Sequence, residues 1–140
     1  MSQDKVRPTP TVGVICFRGD EVLLIKRGKP PRQGDWSIPG GRLEWNEAVK
    51  ACALRELEEE TGVKAELVGL VDVIDGFFGD DRHYVLIDYA ARWIEGEPRA
   101  GDDAAEARFW PVEAAIERVE WDTTKQVIRD AWTRFGRTGG

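Results

Sequence analysis

Gly40-Gly-Arg-Leu-Glu-Trp-Asn-Glu-Ala-Val-Lys-Ala-Cys-Ala-Leu-Arg-Glu-Leu-Glu-Glu-Glu-Thr-Gly-Val63 is the stretch from which the rest of the chain is read. Pro39-Gly40-Gly41 predicts a turn, and an acidic helix follows it. Asn46 is expected to cap that helix, because its side-chain oxygen accepts an orphan backbone N–H of the first turn. Gly62 suits the left-handed position that ends a helix. Between them no Pro or Gly interrupts about four turns of good helix formers.

Projected at about 100° per residue, the helix separates into faces. Leu54, Leu57 and Thr61 fall together, with Ala53 at the edge, and are predicted to pack on a core. Glu56, Glu59 and Glu60 stand at i, i+3 and i+4, so their carboxylates share an arc, with Ala48 and Cys52 beneath it. Such charges repel and raise one another's pKa unless a cation sits among them. Hard divalent cations with oxygen ligands, Mg2+ or Mn2+, suit that arc. An acidic helix face alone is more often simply solvated.

The spacing decides between these readings. Gly41 is followed by five residues, Glu47, seven residues, Arg55-Glu56-Leu57, one residue, Glu59-Glu60, one residue and Gly62-Val63. This resembles the Nudix box with every defining position filled, and Pro39-Gly40 matches the usual approach to it. The resemblance covers nearly the whole chain and rests most firmly on residues 39–63. It implies an α/β/α sandwich with a mixed β-sheet, within the α/β (α+β) class. It also implies hydrolysis within the phosphate chain of a nucleoside diphosphate linked to a further group.

By the same resemblance, Glu59 and Glu60 are the principal metal ligands and Glu56 a further ligand or base. Arg55 orients a catalytic carboxylate, Glu47 holds the box together, and the Gly40 carbonyl adds a metal ligand. The implied cofactor is Mg2+, for which Mn2+ can substitute, and a metal-activated water attacks phosphorus. A general base from a late loop is expected among Asp102, Asp103 and Glu106. Gly41 is expected to serve the turn through a positive φ or through room beside the metal.

The whole chain sets bounds. Its 140 residues fit a single domain, 1–140, with flexible ends at 1–10 and 136–140. A net charge of -6 argues against a nucleic-acid polymer as partner, since no basic face is evident to neutralise phosphates. No apolar run reaches the ~20 residues of a membrane span, and Met1–Pro10 lacks signal-peptide character. Cys16 and Cys52 read as buried free thiols, so a cytoplasmic location and no membrane partner are expected.

Strands are predicted at Thr11–Phe17, Val22–Ile25, Trp36–Ile38, Arg42–Glu44, Ala65–Ile74, His83–Trp93 and Ala107–Trp110. Helices are predicted at Pro111–Arg118 and from a cap at Asp122 or Thr123 to about Phe135. Lys26, Arg27, Lys29 and Arg32 precede the acidic helix and are candidates to face a phosphate, Arg27 and Arg32 above all. Phe77 and Phe78, in a predicted turn over Asp75–Asp81, are candidates to stack on a base or to join a homodimer contact. His83, the sole histidine, is expected to be structural.

The partner implied is a small nucleotide. The stretch from His83 to Trp110 is similar to short bacterial members assigned to ADP-ribose, and almost as similar to members that clear oxidised nucleoside triphosphates such as 8-oxo-dGTP. Phe78 and Gly79 stand where many ADP-ribose enzymes carry a proline. The rival of another class is a Nudix-like module that senses a nucleotide without cutting it. Such modules usually lose box glutamates, and all are present in this sequence.

Overall fold

Along the first strand, Val12, Val14 and Cys16 are buried in one apolar cluster, while Ile15 and Phe17 are buried in another. Successive side chains of a strand point to opposite faces, so this strand is covered on both sides. In the computed structural model, which describes residues 7–30, 32–101 and 103–136, helices provide that cover.

The strands are β1 (Thr9–Arg18), β2 (Glu21–Arg27), β3 (Trp36–Ser37), β4 (Gly40–Arg42), β5 (Lys64–Phe77), β6 (His83–Glu95) and β7 (Ala104–Pro111). The helices are α1 (Val49–Thr61), α2 (Val112–Arg118) and α3 (Asp122–Phe135). The seven strands form one sheet ordered β3-β2-β1-β6-β5, with β4 also on β1 and β7 on β2. β1 and β6 run parallel and every other pair is antiparallel, so the sheet is mixed, as expected.

One face packs on α1 through Cys52, Ala53 and Leu57, against Val12, Val14, Cys16, Leu23 and Phe109. The other packs on α2 and α3 through Val112, Ala115, Val127, Ile128 and Ala131, against Ile15, Phe17, Val22, Leu24 and Val71. The result is an α/β/α arrangement whose two cores are divided by the sheet. No helix among the described residues is long and apolar enough to cross a membrane.

Several local expectations change. Asn46 does not cap α1: it has φ 64, the helix starts at Val49 after Ala48, and no side chain caps it. The turn ahead of the helix is closed instead by Glu47, whose carboxylate accepts from the Glu44 N–H at 3.1 Å. With the helix starting there, Leu54 points outward, 38% exposed, and Cys52 takes its place in the core. Neither Asp122 nor Thr123 caps α3. Gly62 does end α1 in the left-handed conformation, at φ 75, with its N–H on the Glu58 carbonyl.

Strand limits also move. The strand placed at Arg42–Glu44 is Gly40–Arg42, because it pairs with Thr11–Gly13 of β1. β5 runs on through Asp75–Phe77, which were expected in a turn, paired with His83–Val85. Thr9 and Pro10, expected in a flexible end, pair with Tyr84 and Val85, and Gly136 donates to the Trp132 carbonyl. Residues 1–6 and 137–140, the rest of those ends, lie outside the described residues.

Candidate active site

The site is built where β4 meets α1. Gly40 and Gly41 lie in β4 beside Val12 and Gly13. Neither has a positive φ, so the reason for glycine is space rather than backbone freedom. A Cβ on Gly40 would run into the Val12 carbonyl oxygen, and one on Gly41 would overlap the Glu56 carboxylate. α1 thus lays Glu56 directly over the turn.

Arg55 is the hub. Its Nε and Nη2 donate to the two carboxylate oxygens of Glu47 at 2.6 and 3.0 Å, a bidentate pair. Its Nη1 donates to Glu56 at 3.2 Å and to Glu59 at 3.0 Å. The guanidinium holds the Glu47 carboxyl down at about 2, against an ordinary 4.5, and Glu47 in turn raises the pKa of Arg55. Glu60 faces the turn, accepting from the Gly40 N–H at 2.9 Å. Leu57 and Val63 of the box are fully buried and anchor this face to the sheet. The helix end is fixed too, since the Arg99 and Gly101 N–H groups donate to the Thr61 and Glu60 carbonyls.

Does this set suit a divalent cation? Its donors are carboxylate oxygens from one helix, gathered over glycines that a side chain would fill, which is hard-ligand chemistry. Among the described residues no three acidic, His or Cys side chains converge tightly enough to hold an ion as they stand. Arg55 Nη1 instead bridges Glu56 and Glu59. The donor set fits. Glu59, 45% exposed, has the freedom to exchange the guanidinium for a metal ion.

The other candidates are placed as follows. Asp103 is ion-paired with Lys29 at 2.8 Å, which lowers its pKa. Glu106 belongs to β7 rather than to a loop, and it faces Lys26 across β2 at 3.6 Å. Asp102 lies outside the described residues. Arg27 sits at the end of β2, its N–H on the Asp35 carbonyl. Arg32 is exposed, in the left-handed region at φ 63, with its guanidinium 5.8 Å from the Phe78 ring. Phe77 is 70% exposed and stacks on His83, which pairs with Asp75 at 2.8 Å. Phe78 turns inward, against Tyr84 and Trp121. Cys16 and Cys52 are buried and free, and burial pushes their thiols up to about 12 and 11.

Two features escape the sequence reading. Trp45, in the turn before α1, is 95% exposed. Asp88, on β6, is 5% exposed, and its carboxyl is pushed up to about 7 by burial and by Asp72. A lone carboxylate within the apolar run Val85–Ala91 was the available signal.

The NUDIX domain family matches residues 7–131. An ADP-ribose pyrophosphatase of Methanocaldococcus jannaschii is 34% identical over 126 residues, covering 89% of this chain and 73% of that protein. A putative 8-oxo-dGTP diphosphatase of Mycobacterium tuberculosis is 32% identical over 105 residues, covering 74% and 73%. Among solved structures, a MutT NUDIX hydrolase from Burkholderia pseudomallei superposes with a TM-score of 0.76 at 28% identity, covering 89% of this chain and 98% of that one. With the filled box on α1 and the fold it sits in, these likenesses make the chain a member of the Nudix hydrolase family.

Proposed function

We propose that the protein hydrolyses a phosphoanhydride bond of a nucleoside diphosphate derivative, ADP-ribose or a close analogue, with Mg2+ as its cofactor. The observation that carries this is the carboxylate arc of Glu56, Glu59 and Glu60 laid over the Gly40–Gly41 turn. A divalent cation bound there would neutralise the diphosphate and make the attacking water more acidic. Glu56, Glu59, Glu60 and the Gly40 carbonyl are the residues that would hold it.

The chain's own groups do the rest. Arg55 keeps Glu56 and Glu59 oriented, and the Glu47 pair keeps Arg55 in place. Glu56 or Glu59 takes the proton of the water that attacks phosphorus. The bridging P–O bond then breaks, and AMP and ribose 5-phosphate leave. Positioning and electrostatics suffice for phosphoryl chemistry of this kind. The relative from Methanocaldococcus jannaschii favours ADP-ribose.

The likeness to the Mycobacterium tuberculosis protein supports a second reading, pyrophosphohydrolysis of an oxidised nucleoside triphosphate such as 8-oxo-dGTP. One experiment separates them: product release from a panel of nucleotides with Mg2+. AMP and ribose 5-phosphate from ADP-ribose are expected. A clear preference for 8-oxo-dGTP, with pyrophosphate as product, selects the second reading, and turnover of neither overturns both.

A further inference from the structure

β5 is the outer strand of the sheet: it pairs with β6 on one side, and no described strand lies on the other. Such an edge presents a row of backbone N–H and C=O groups that can template a further strand. Much of this one is closed. Bulges interrupt it between Leu67 and Gly69 and between Leu70 and Asp72. The Arg134 guanidinium also donates to the Val71 and Leu70 carbonyls, at 2.8 and 3.1 Å.

From Val73 to Phe77 the pairing with β6 is regular, and there the edge is open. The Phe78 N–H bonds inward to the Arg82 carbonyl, and the Val73 N–H turns outward to the Asp72 carboxylate at 2.8 Å. Backbone groups alternate along an antiparallel strand, so Val73, Asp75 and Phe77 direct theirs away from β6. Their side chains lie on the α1 side of the sheet, because Val73 pairs with Ile87, which packs in that core, and Asp75 and Phe77 follow at alternate positions. Val73 is 53% and Phe77 70% exposed, and Leu70, at 44%, extends the row. Three of the six large apolar side chains left exposed among the described residues thus stand on one strand. β6 and β1 separate it from the Gly40–Gly41 turn.

We propose that two copies of the chain pair their β5 edges, antiparallel about a two-fold axis at Asp75, and so continue one sheet through both. The open edge sets that register, since Asp75 is its middle residue. Val73 of each copy then lies opposite Phe77 of the other, and aromatic–β-branched pairs across strands are favourable. Continued past Phe77, the same register brings the exposed Asp80-Asp81 tip level with Leu70 and Val71 of the second copy, where Arg134 sits. Acidic tip and guanidinium therefore meet twice, once at each end. Such self-complementarity is what a closed two-fold contact requires, and it favours a second copy over an unrelated strand. Asp75 opposes association, because it faces its own counterpart and like charges across strands repel. Its carboxylate is held by His83 Nε2 at 2.8 Å. A contact this short gives a reversible dimer rather than a permanent one.

Sedimentation velocity of the full chain over a wide range of concentration is expected to show a monomer–dimer equilibrium. Val73→Lys puts a charge into the pairing on both sides of the axis and should weaken association by about tenfold or more. Asp75→Asn removes the facing charges and should tighten it. Arg134→Glu should weaken it, and Asp80→Lys added to that chain should restore it.

Asp75→Cys reads the axis directly. Opposed residues of a hydrogen-bonded antiparallel pair lie about 5.5 Å apart at Cα, within disulfide reach. Mild oxidation should cross-link Asp75→Cys into a covalent dimer and leave Asp72→Cys and the wild type, whose Cys16 and Cys52 are buried, uncross-linked. None of these readouts uses turnover, so the outcome is independent of the hydrolysis proposed at α1. A chain that stays monomeric at every concentration overturns the proposal. So does a dimer indifferent to Val73→Lys, or one that Asp75→Cys fails to cross-link.

Discussion

The two faces of the sheet treat carboxylates in opposite ways. On the α1 face Glu47, Glu56 and Glu59 share the Arg55 guanidinium, and Glu47 is held at about 2. On the other face Asp88 has no cation beside it among the described residues, is 5% exposed, and rises to about 7. The same functional group is thus held well below its ordinary range in one place and raised well above it in the other. Pairing dominates where a guanidinium reaches both oxygens, and desolvation dominates where nothing does.

The sharpest way to break the contrast is to remove charge from the α1 arc. Glu59→Gln and Glu60→Gln should each lower turnover by about 100-fold or more while the fold persists, because on the proposed reading each removes a ligand to the metal ion that offsets the charge of the transition state. Chelator should abolish turnover, and Mg2+ or Mn2+ should restore it. Full activity in chelator on a metal-free preparation would remove the basis for the cation reading. Asp88→Asn, by contrast, should leave the metal titration unchanged.

Next in size is Gly41→Ala. The added methyl must push the Glu56 carboxylate off the turn, and a displacement of about 1 Å can cost about 100-fold in rate. Since Gly41 has no positive φ, the backbone pays little, and folded protein should be recovered in normal yield. Turnover per folded molecule and Mg2+ titration are the measurements. Wild-type values for both would mean that the turn merely joins strand to helix.

The contrast also predicts opposite pH dependences of stability. Glu47 is depressed in the fold, so its contribution is present above about 4.5 and is lost as pH falls toward about 2. Asp88 is raised in the fold. Its neutral form costs nothing below its ordinary 3.8, and the penalty grows as pH rises until about 7. Asp88→Asn should therefore match wild type at pH 4 and gain on the order of 2 kcal/mol at pH 8. Urea midpoints at the two pH values decide it, and a gain that is equal at both would refute the buried-carboxyl account.

Much of the α1 face was legible in the sequence because its chemistry is local. Carboxylates at helical spacing share an arc wherever the helix sits, and Gly62 ends that helix through its own conformational freedom. The other face depends on pairings that no local rule supplies. Asp88 could be noticed as a carboxylate in an apolar run, but its neighbours Gly13 and Asp72 come from strands 75 and 16 positions away. β7 lies against β2 rather than its chain neighbour β6, a pairing that the polar run around Glu106 does not signal. Leu54 failed for a simpler reason. The helical projection grouped it with Leu57, but the sheet approaches α1 from the side of Cys52 and Ala53.

The smallest effect tests the entrance to α1, where the sequence pointed to a cap and the structure has a left-handed turn. Asn46 sits at φ 64, two residues before Ala48, and its side chain caps nothing. Asn tolerates that conformation better than most residues, because its short amide can bond locally. Serine caps a helix about as well as Asn but has no such tolerance of the left-handed region. Were Asn46 a cap, Asn46→Ser would be neutral and Asn46→Gly would lose a few tenths of a kcal/mol. With φ 64 the order reverses: Ser should cost about 1 kcal/mol and Gly should be neutral or slightly stabilising. Equilibrium urea unfolding of the two variants resolves a difference of that size. A destabilised Gly variant beside an unchanged Ser variant would return the cap to Asn46 and move the start of α1 with it.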